Sequence, residues 1–169
     1  DRYTYSDIAR EAAKISKSLL ALGVEPGDRI GYFLGESVDT VLIMLGAAKI
    51  GAICAPINSR FKPRELRQVI VHAGMKVVFT TASDAGTDFN DLIQRTFPQI
   101  AESEGPSLSF EEAPELQTIV VMDEIERAGM VNLTKLNSLA ESVSDEDVLL
   151  RQSGVRVRET AIIMYTSGT

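Results

Sequence analysis

Apolar residues recur along this chain at two spacings, and the two alternate. From Ile8 to Leu22 they repeat every three or four positions, which predicts an amphipathic helix. Helices are predicted over residues 8–22, 38–50, 63–74, 89–97 and 133–139. Short apolar runs that indicate buried strands cover residues 29–34, 52–57, 77–79, 119–121 and 161–164. Strands that alternate with helices predict an α/β fold, with a mainly parallel sheet flanked by helices.

Local residues predict where some of these helices begin and end. Thr4 and Asp7 are spaced for a capping arrangement at the start of the first helix, and Gly23 suits the residue after its end. The second helix is apolar around much of its circumference, which predicts packing on more than one side. The acidic segments 102–115 and 142–147 are predicted to be solvated loops.

Composition narrows the class of protein. The 169 residues are 44% hydrophobic and carry a formal net charge of −7, which argues against nucleic acid as the main partner. No run approaches the roughly 18 apolar residues of a membrane-spanning helix. Cys54 is the only cysteine, so disulfide scaffolds and cysteine-based metal sites are excluded. These features predict an ordinary cytoplasmic protein.

The common motifs of nucleotide and ester chemistry are missing. The sequence has no Gly-x-Gly-x-x-Gly after its first strand, no Gly-x-x-x-x-Gly-Lys-Ser/Thr, and no Gly-x-Ser-x-Gly. His72, the only histidine, falls off the apolar stripe of its helix, which favours a surface or helix-dipole role. Cys54 is interpreted as a small buried hydrophobe. No residue is therefore assigned a catalytic or metal-binding role.

The last five residues, Tyr-Thr-Ser-Gly-Thr, follow the apolar run 161–164. Clusters of this kind are ordinary turns more often than ligand sites. In α/β proteins, however, a strand that ends in a Gly/Ser/Thr turn also forms phosphate-binding loops, because Gly168 allows close backbone approach and the hydroxyls donate hydrogen bonds. Residues elsewhere in the chain have to separate these two interpretations.

Three segments in order, at residues 3–8, 48–58 and 163–169, resemble the first three core motifs of the adenylate-forming enzymes. This superfamily contains acyl- and aryl-CoA synthetases, luciferases and nonribosomal adenylation domains. The most specific segment is Tyr-Thr-Ser-Gly-Thr. The Pro-Ile-Asn-Ser-Arg segment that begins at Pro56 looks more like CoA ligases, because nonribosomal domains more often have aspartate where Asn58 stands.

The resemblance implies a reaction and its participants. Family enzymes join a carboxylic acid to ATP to form an acyl-adenylate and pyrophosphate, and a thiol, usually that of CoA, then displaces AMP. By this similarity Thr166, Ser167, Gly168 and Thr169 would bind the β- and γ-phosphates, with Mg²⁺ sharing their charge, and Tyr165 would anchor the end of the strand. The expected partners are a carboxylic acid, ATP and CoA, and a homodimer is left open.

By the same resemblance, residues 1–169 are expected to be an incomplete part of the large N-terminal domain, the AMP-binding domain. The phosphate-binding loop would continue past Thr169, and the fragment alone would be inactive. Two alternatives stay open. One is an adenylation enzyme that passes the acyl group to a carrier protein, and the other is a non-catalytic α/β module that binds phosphate.

Overall fold

A computed structural model describes residues 2–84, 86–103 and 105–166 of the chain. Its strands are β1 (Arg29–Phe33), β2 (Ile53–Pro56), β3 (Met75–Thr80), β4 (Ser83–Asp84), β5 (Thr87–Asp88), β6 (Thr118–Val121) and β7 (Met130–Asn132). Its α-helices are α1 (Tyr5–Ala21), α2 (Val38–Lys49), α3 (Pro63–Ala73), α4 (Phe89–Thr96), α5 (Leu133–Glu141) and α6 (Asp145–Ser153). A short 3₁₀ helix covers Pro98–Glu102.

The main sheet is parallel, as the alternating pattern predicts. Its strand order is β2-β1-β3-β6-β7, and every neighbouring pair runs in the same direction. The chain moves outward from β1 to β2, returns to the other side of β1 at β3, and then continues to β7. β4 and β5 form a separate antiparallel pair. The mainly parallel α/β fold is confirmed.

Successive side chains of β3 point to opposite faces of the sheet and so enter two core layers. Val77 and Phe79 pack into a cluster with residues of α1, α2 and α5. Val78 packs into the opposite cluster, which contains residues of α3, α4 and the 3₁₀ helix. Because both faces are covered, the central strands can be apolar along their whole length.

Both predicted ends of α1 are confirmed. The hydroxyl of Thr4 accepts a hydrogen bond from the backbone N–H of Asp7 (3.2 Å), and the backbone N–H of Thr4 donates to the Asp7 carboxylate (3.0 Å). At the other end Gly23 has a φ of 74°, and its N–H donates to the carbonyl of Leu20. The N–H of Val24 donates to the carbonyl of Leu19, so the helix ends in a Schellman motif.

Helix α2 crosses α1 at short range and also contacts β1, β2 and α6, as its apolar circumference predicts. Its buried residues include Ile43 and Gly46, whereas Val41 and Leu45 are 40% and 41% exposed. The hydroxyl of Ser16 in α1 donates to the carbonyl of Gly46 at 2.9 Å. Glycine at this position is what lets the two backbones approach so closely.

The prediction of a loop over residues 142–147 is wrong, because α6 begins within it. Ser144 is the N-cap, and its hydroxyl accepts a hydrogen bond from the N–H of Asp147 (3.1 Å). The Asp147 carboxylate in turn accepts from the N–H of Ser144 (3.0 Å). The run of three acids fills the first turn, where the helix dipole favours negative charge.

The second predicted loop, residues 102–115, is irregular but only partly solvated. Leu108, Phe110 and Ala113 are buried, and the rings of Phe97 and Phe110 stack with centroids 5.6 Å apart. The guanidinium of Arg67 pairs with Glu112 at 3.0 Å and ties this segment to α3. Glu102, Glu111 and Glu115 are exposed, while the apolar residues of the segment complete the core.

Candidate phosphate-binding site

The segment 161–166 lies beside β2 and extends the parallel sheet at that edge. The N–H of Cys54 donates to the carbonyl of Ala161 (2.9 Å), and the N–H of Ile163 donates to the carbonyl of Cys54 (2.8 Å). The strand predicted over residues 161–164 is thus reduced to one bridge pair, Cys54 with Ile162. Ile163 packs against the core, while Ile162 and Met164 are exposed.

This pairing sets the direction in which the chain leaves the sheet. Because the segment runs parallel to β2, residues 164–166 emerge at the carboxyl edge of the strands. Open α/β sheets bind their ligands outside this edge. Thr166 stands there and is exposed, so its hydroxyl is accessible to a ligand.

Ser167, Gly168 and Thr169 lie outside the described residues, so phosphate binding by these three stays a prediction. Of the four residues assigned to phosphate by resemblance, Thr166 alone is described. Phosphate binding by Thr166 also stays a prediction, and its place at the carboxyl edge is compatible with that prediction.

Tyr165 connects the start of this loop to α3. Its hydroxyl lies 2.7 Å from Nδ1 of His72, and the two rings meet edge to face with centroids 5.7 Å apart. His72 belongs to the last turn of α3 and is exposed, as its place off the apolar stripe predicts. The contact is of the kind that an anchoring role for Tyr165 needs. The sequence pattern gives no signal for it.

The second motif lies next to the described start of the third, through the pairing of Cys54 with residues 161–163. Gly51, with a φ of 78°, ends the connection from α2, and β2 follows. After β2 the N–H of Ile57 donates to the carbonyl of Tyr32 (3.0 Å), and the side-chain oxygen of Asn58 accepts from the N–H of Arg60 (3.0 Å). The loop that contains Asn58 therefore starts at the same edge, beside the strand that leads to Thr166. The first motif forms the amino end of α1 and caps that helix.

A small crevice lies at the carboxyl edge between β1 and β3, where the strand order reverses. Its volume is about 130 Å³. It is lined by Leu34, Gly35, Glu36, Ser37, Asp39, Thr81 and Ser83. Pockets that enclose drug-sized ligands measure roughly 300–1,000 Å³. This crevice is too small to enclose a nucleotide.

Cys54 is unsuited to act as a nucleophile. Cys54 is fully buried, and burial raises the pKa of its thiol to about 12. A thiol is nucleophilic as the thiolate, so Cys54 is inert at neutral pH and has the structural role predicted for it.

The described residues have neither a metal-binding cluster of side chains nor a membrane-spanning helix. Over residues 2–84, 86–103 and 105–166 there is no group of three or more His, Cys, Asp or Glu side chains that could hold a metal ion. Across the same part of the chain, no helix has both the length and the apolar character needed to cross a membrane.

Comparison with known proteins identifies relatives whose sequences align with this chain over nearly its whole length. The acyl-CoA ligase sidI of Beauveria bassiana (strain ARSEF 2860) is 29% identical over 168 residues, which cover 99% of this chain and 27% of that protein. The mitochondrial medium-chain acyl-CoA ligase ACSF2 of Bos taurus is 24% identical over 172 residues, again with 99% and 27% covered.

Among solved structures, coronafacic acid ligase from Pectobacterium brasiliense matches with a TM-score of 0.71 at 17% identity. The match covers 98% of this chain and 29% of that one, and it shows a shared fold. The chain spans a little over a quarter of the length of these three proteins. A protein-family model described as AMP-binding enzyme matches residues 1–169, and the chain therefore belongs to the AMP-binding enzyme family.

Proposed function

We propose that the protein of which this chain is part activates a carboxylic acid with ATP and then transfers the acyl group to CoA. The observation that carries the proposal is Thr166 at the carboxyl edge of the sheet, followed in sequence by Ser-Gly-Thr, in a member of the AMP-binding family. The names of the relatives, which are acyl-CoA ligases, support an acyl acid as substrate. We take a fatty or other acyl acid as the substrate class.

The reaction has two steps, each with a defined bond change. In the first, a carboxylate oxygen forms a bond to the α-phosphorus of ATP as the bond from that phosphorus to the leaving pyrophosphate breaks. In the second, the sulfur of CoA forms a bond to the acyl carbon, the thiol proton is released, and AMP leaves. Catalysis of such phosphoryl-centred chemistry depends mostly on alignment and on neutralising charge.

The proposed task of this chain is to hold the leaving phosphates. Thr166 would donate its hydroxyl to the β- and γ-phosphates together with Ser167 and Thr169, and Gly168 would let the backbone approach the anion. When bound, Mg²⁺ would share the phosphate charge. We propose that residues 1–169 form the N-terminal part of the AMP-binding domain, with the phosphate loop continuing after Thr169. The groups that bind adenine and metal would then come from later parts of the protein.

Pyrophosphate exchange on the full-length protein tests the first step. We expect incorporation of labelled pyrophosphate into ATP that depends on one member of a panel of carboxylates of increasing chain length. The substitution Thr166→Val removes the hydroxyl but keeps the shape of the side chain. It is expected to lower the rate of pyrophosphate exchange by about tenfold, because one hydrogen bond to a charged group is lost. Thr160→Val, at an exposed position before the same segment, is the matched control and should leave exchange unchanged.

The same assay separates the proposal from its alternatives. Thioester formation with free CoA supports a CoA ligase, whereas exchange without thioester on CoA points to a carrier-protein acceptor. Nucleotide binding without exchange for any acid would refute the proposed activity and leave a non-catalytic phosphate-binding module. We also propose a cytoplasmic location, which cell fractionation tests.

A further inference from the structure

The segment that leads to the phosphate loop is held at two kinds of contact. Its backbone pairs with β2 through Ala161 and Ile163. Two residues past Ile163, the hydroxyl of Tyr165 meets Nδ1 of His72 at 2.7 Å. The second contact adjoins Thr166 directly, so it constrains the residue from which the loop departs. A backbone pair at Ile163 alone would leave the dihedral angles of residues 164 and 165 free to vary.

His72 is itself placed by a well-fixed helix end. Val69 and Ile70, which precede it in α3, are buried in the core. The C-cap Gly74 adopts a left-handed conformation, and Nε of Arg29 donates to the carbonyl of Ala73 at 2.8 Å. The backbone around His72 is therefore tied both to the core and to β1. A side chain that extends from such a position can hold a loop in place.

The geometry of the contact favours a specific role over incidental proximity. The rings of His72 and Tyr165 are inclined at 86°, an edge-to-face arrangement that is itself favourable. A hydrogen bond and an aromatic contact between the same two side chains restrict both the distance and the orientation of Tyr165. Arg67, which lines the same surface pocket as His72, is engaged by Glu112 at 3.0 Å.

The geometry points to His72 as a positioning residue for the phosphate loop, acting through the hydroxyl of Tyr165. This inference rests on the proposed function, because it assigns to Thr166 and the residues after it the task of binding the phosphates of ATP. His72 is 93 residues away from Tyr165 in sequence and would not itself touch ATP. Replacing His72 should therefore change KM for ATP and leave KM for the carboxylic acid unchanged.

Variants of the full-length protein test the inference. Tyr165→Phe removes the hydroxyl and keeps the ring, and His72→Phe removes the imidazole nitrogen and keeps an aromatic side chain. Each is expected to raise KM for ATP by about 5- to 30-fold, the effect of losing one hydrogen bond and part of a ring contact. KM for the carboxylic acid should stay within about twofold. The double variant should be no worse than either single one, because both remove the same contact.

Two further variants separate positioning from general damage. His72→Asn, whose amide nitrogen can take the place of Nδ1, should restore most of the loss. Gln68→Leu, one turn earlier on the exposed face of α3, is the matched control and should leave both KM values unchanged. Multiplicative effects of the two single variants, equal changes in KM for ATP and for the acid, or no change at all would overturn the inference.

Hydrogen exchange keeps this result distinct from failure of the proposed function. His72→Phe should accelerate amide exchange at residues 163–166 by about tenfold and leave β1 and β3 unchanged. If the wild-type protein shows no acid-dependent pyrophosphate exchange, the proposed activity is refuted, and the role of His72 is judged by hydrogen exchange and by ATP affinity. If the wild type is active and both of these are unchanged in His72→Phe, the inference fails and the activity stands.

Discussion

The crossing of α1 and α2 at Gly46 allows a prediction whose sign distinguishes packing from helix propensity. Alanine is the better helix former by about 1 kcal/mol, so propensity alone predicts that Gly46→Ala stabilises the protein. The structure predicts the opposite. A Cβ at position 46 would lie 2.8 Å from the carbonyl oxygen of Ala12 and 2.8 Å from Cβ of Ile15, where ordinary contact begins near 3.4 Å.

The size of the destabilisation by Gly46→Ala follows from the atoms that the new Cβ would displace. Neither the backbone oxygen of Ala12 nor Cβ of Ile15 can rotate away, so the two helices have to separate by about 0.6 Å. Overpacking of this kind costs about 1–3 kcal/mol. Separation also stretches the 2.9 Å bond from Ser16 to the carbonyl of Gly46, which is worth about 1 kcal/mol. After subtracting the gain in propensity, we expect Gly46→Ala to destabilise by about 1–3 kcal/mol.

Thermal unfolding and hydrogen exchange of the full-length protein measure this effect. Because the unfolding entropy grows with chain length, a loss of about 2 kcal/mol in a protein about four times as long as this chain should lower the transition by about 1–2 °C, with faster exchange in α1 and α2. Gly105→Ala is the control, because a Cβ there meets nothing within 4 Å. A Gly46→Ala protein that melts at or above the wild-type temperature would refute the argument from close packing.

Two further predictions concern ionisable groups. Because burial raises the pKa of Cys54 to about 12, a thiol reagent at pH 8 should label the cysteine only as the protein unfolds, and prompt labelling of the folded protein would contradict its burial. The hydrogen bond from the Thr4 hydroxyl is the main cause that lowers the pKa of Asp7 from 3.8 to about 2. The stabilisation by Asp7 is therefore fully present above about pH 4 and is lost as the pH falls towards 2. Between about pH 4 and pH 2, the melting temperature of Asp7→Asn should therefore fall by less than that of the wild type. Equal falls in the two proteins would show that the Asp7 carboxylate does not stabilise α1.

Much of the fold could be predicted because its signals are local. The three-four spacing of α1, its Thr4 cap and its Gly23 end are all read from neighbouring residues, and the structure confirms them. Helix α6 was hidden because the three acids after Ser144 indicate a solvated loop by composition. Its local signal was Ser144 itself, three positions before Asp147, which is the spacing of a capping box. Strand β7 is only three residues long and carries too little pattern to be seen.

Part of the candidate site could likewise be predicted from local sequence, and part could not. Thr166 and its neighbours could be assigned from a contiguous motif, and the parallel pairing with β2 places Thr166 at the carboxyl edge. The contact between His72 and Tyr165 could not be predicted. It depends on which strand the segment 161–163 joins and in what register, and periodicity along the chain carries no information about either.

The bridge between Cys54 and Ile162 has a consequence for the order of assembly. It joins residues about 110 positions apart, and closing a flexible loop of that length costs about 4 kcal/mol in chain entropy. The pairs of β1 with β2 and β3 form over shorter separations and bury apolar faces at once, so the sheet can form before residues 161–163 dock on it. The segment that leads to the proposed phosphate loop is then the last to be added and the first to detach. Opening of the proposed nucleotide site would leave the sheet beneath it intact.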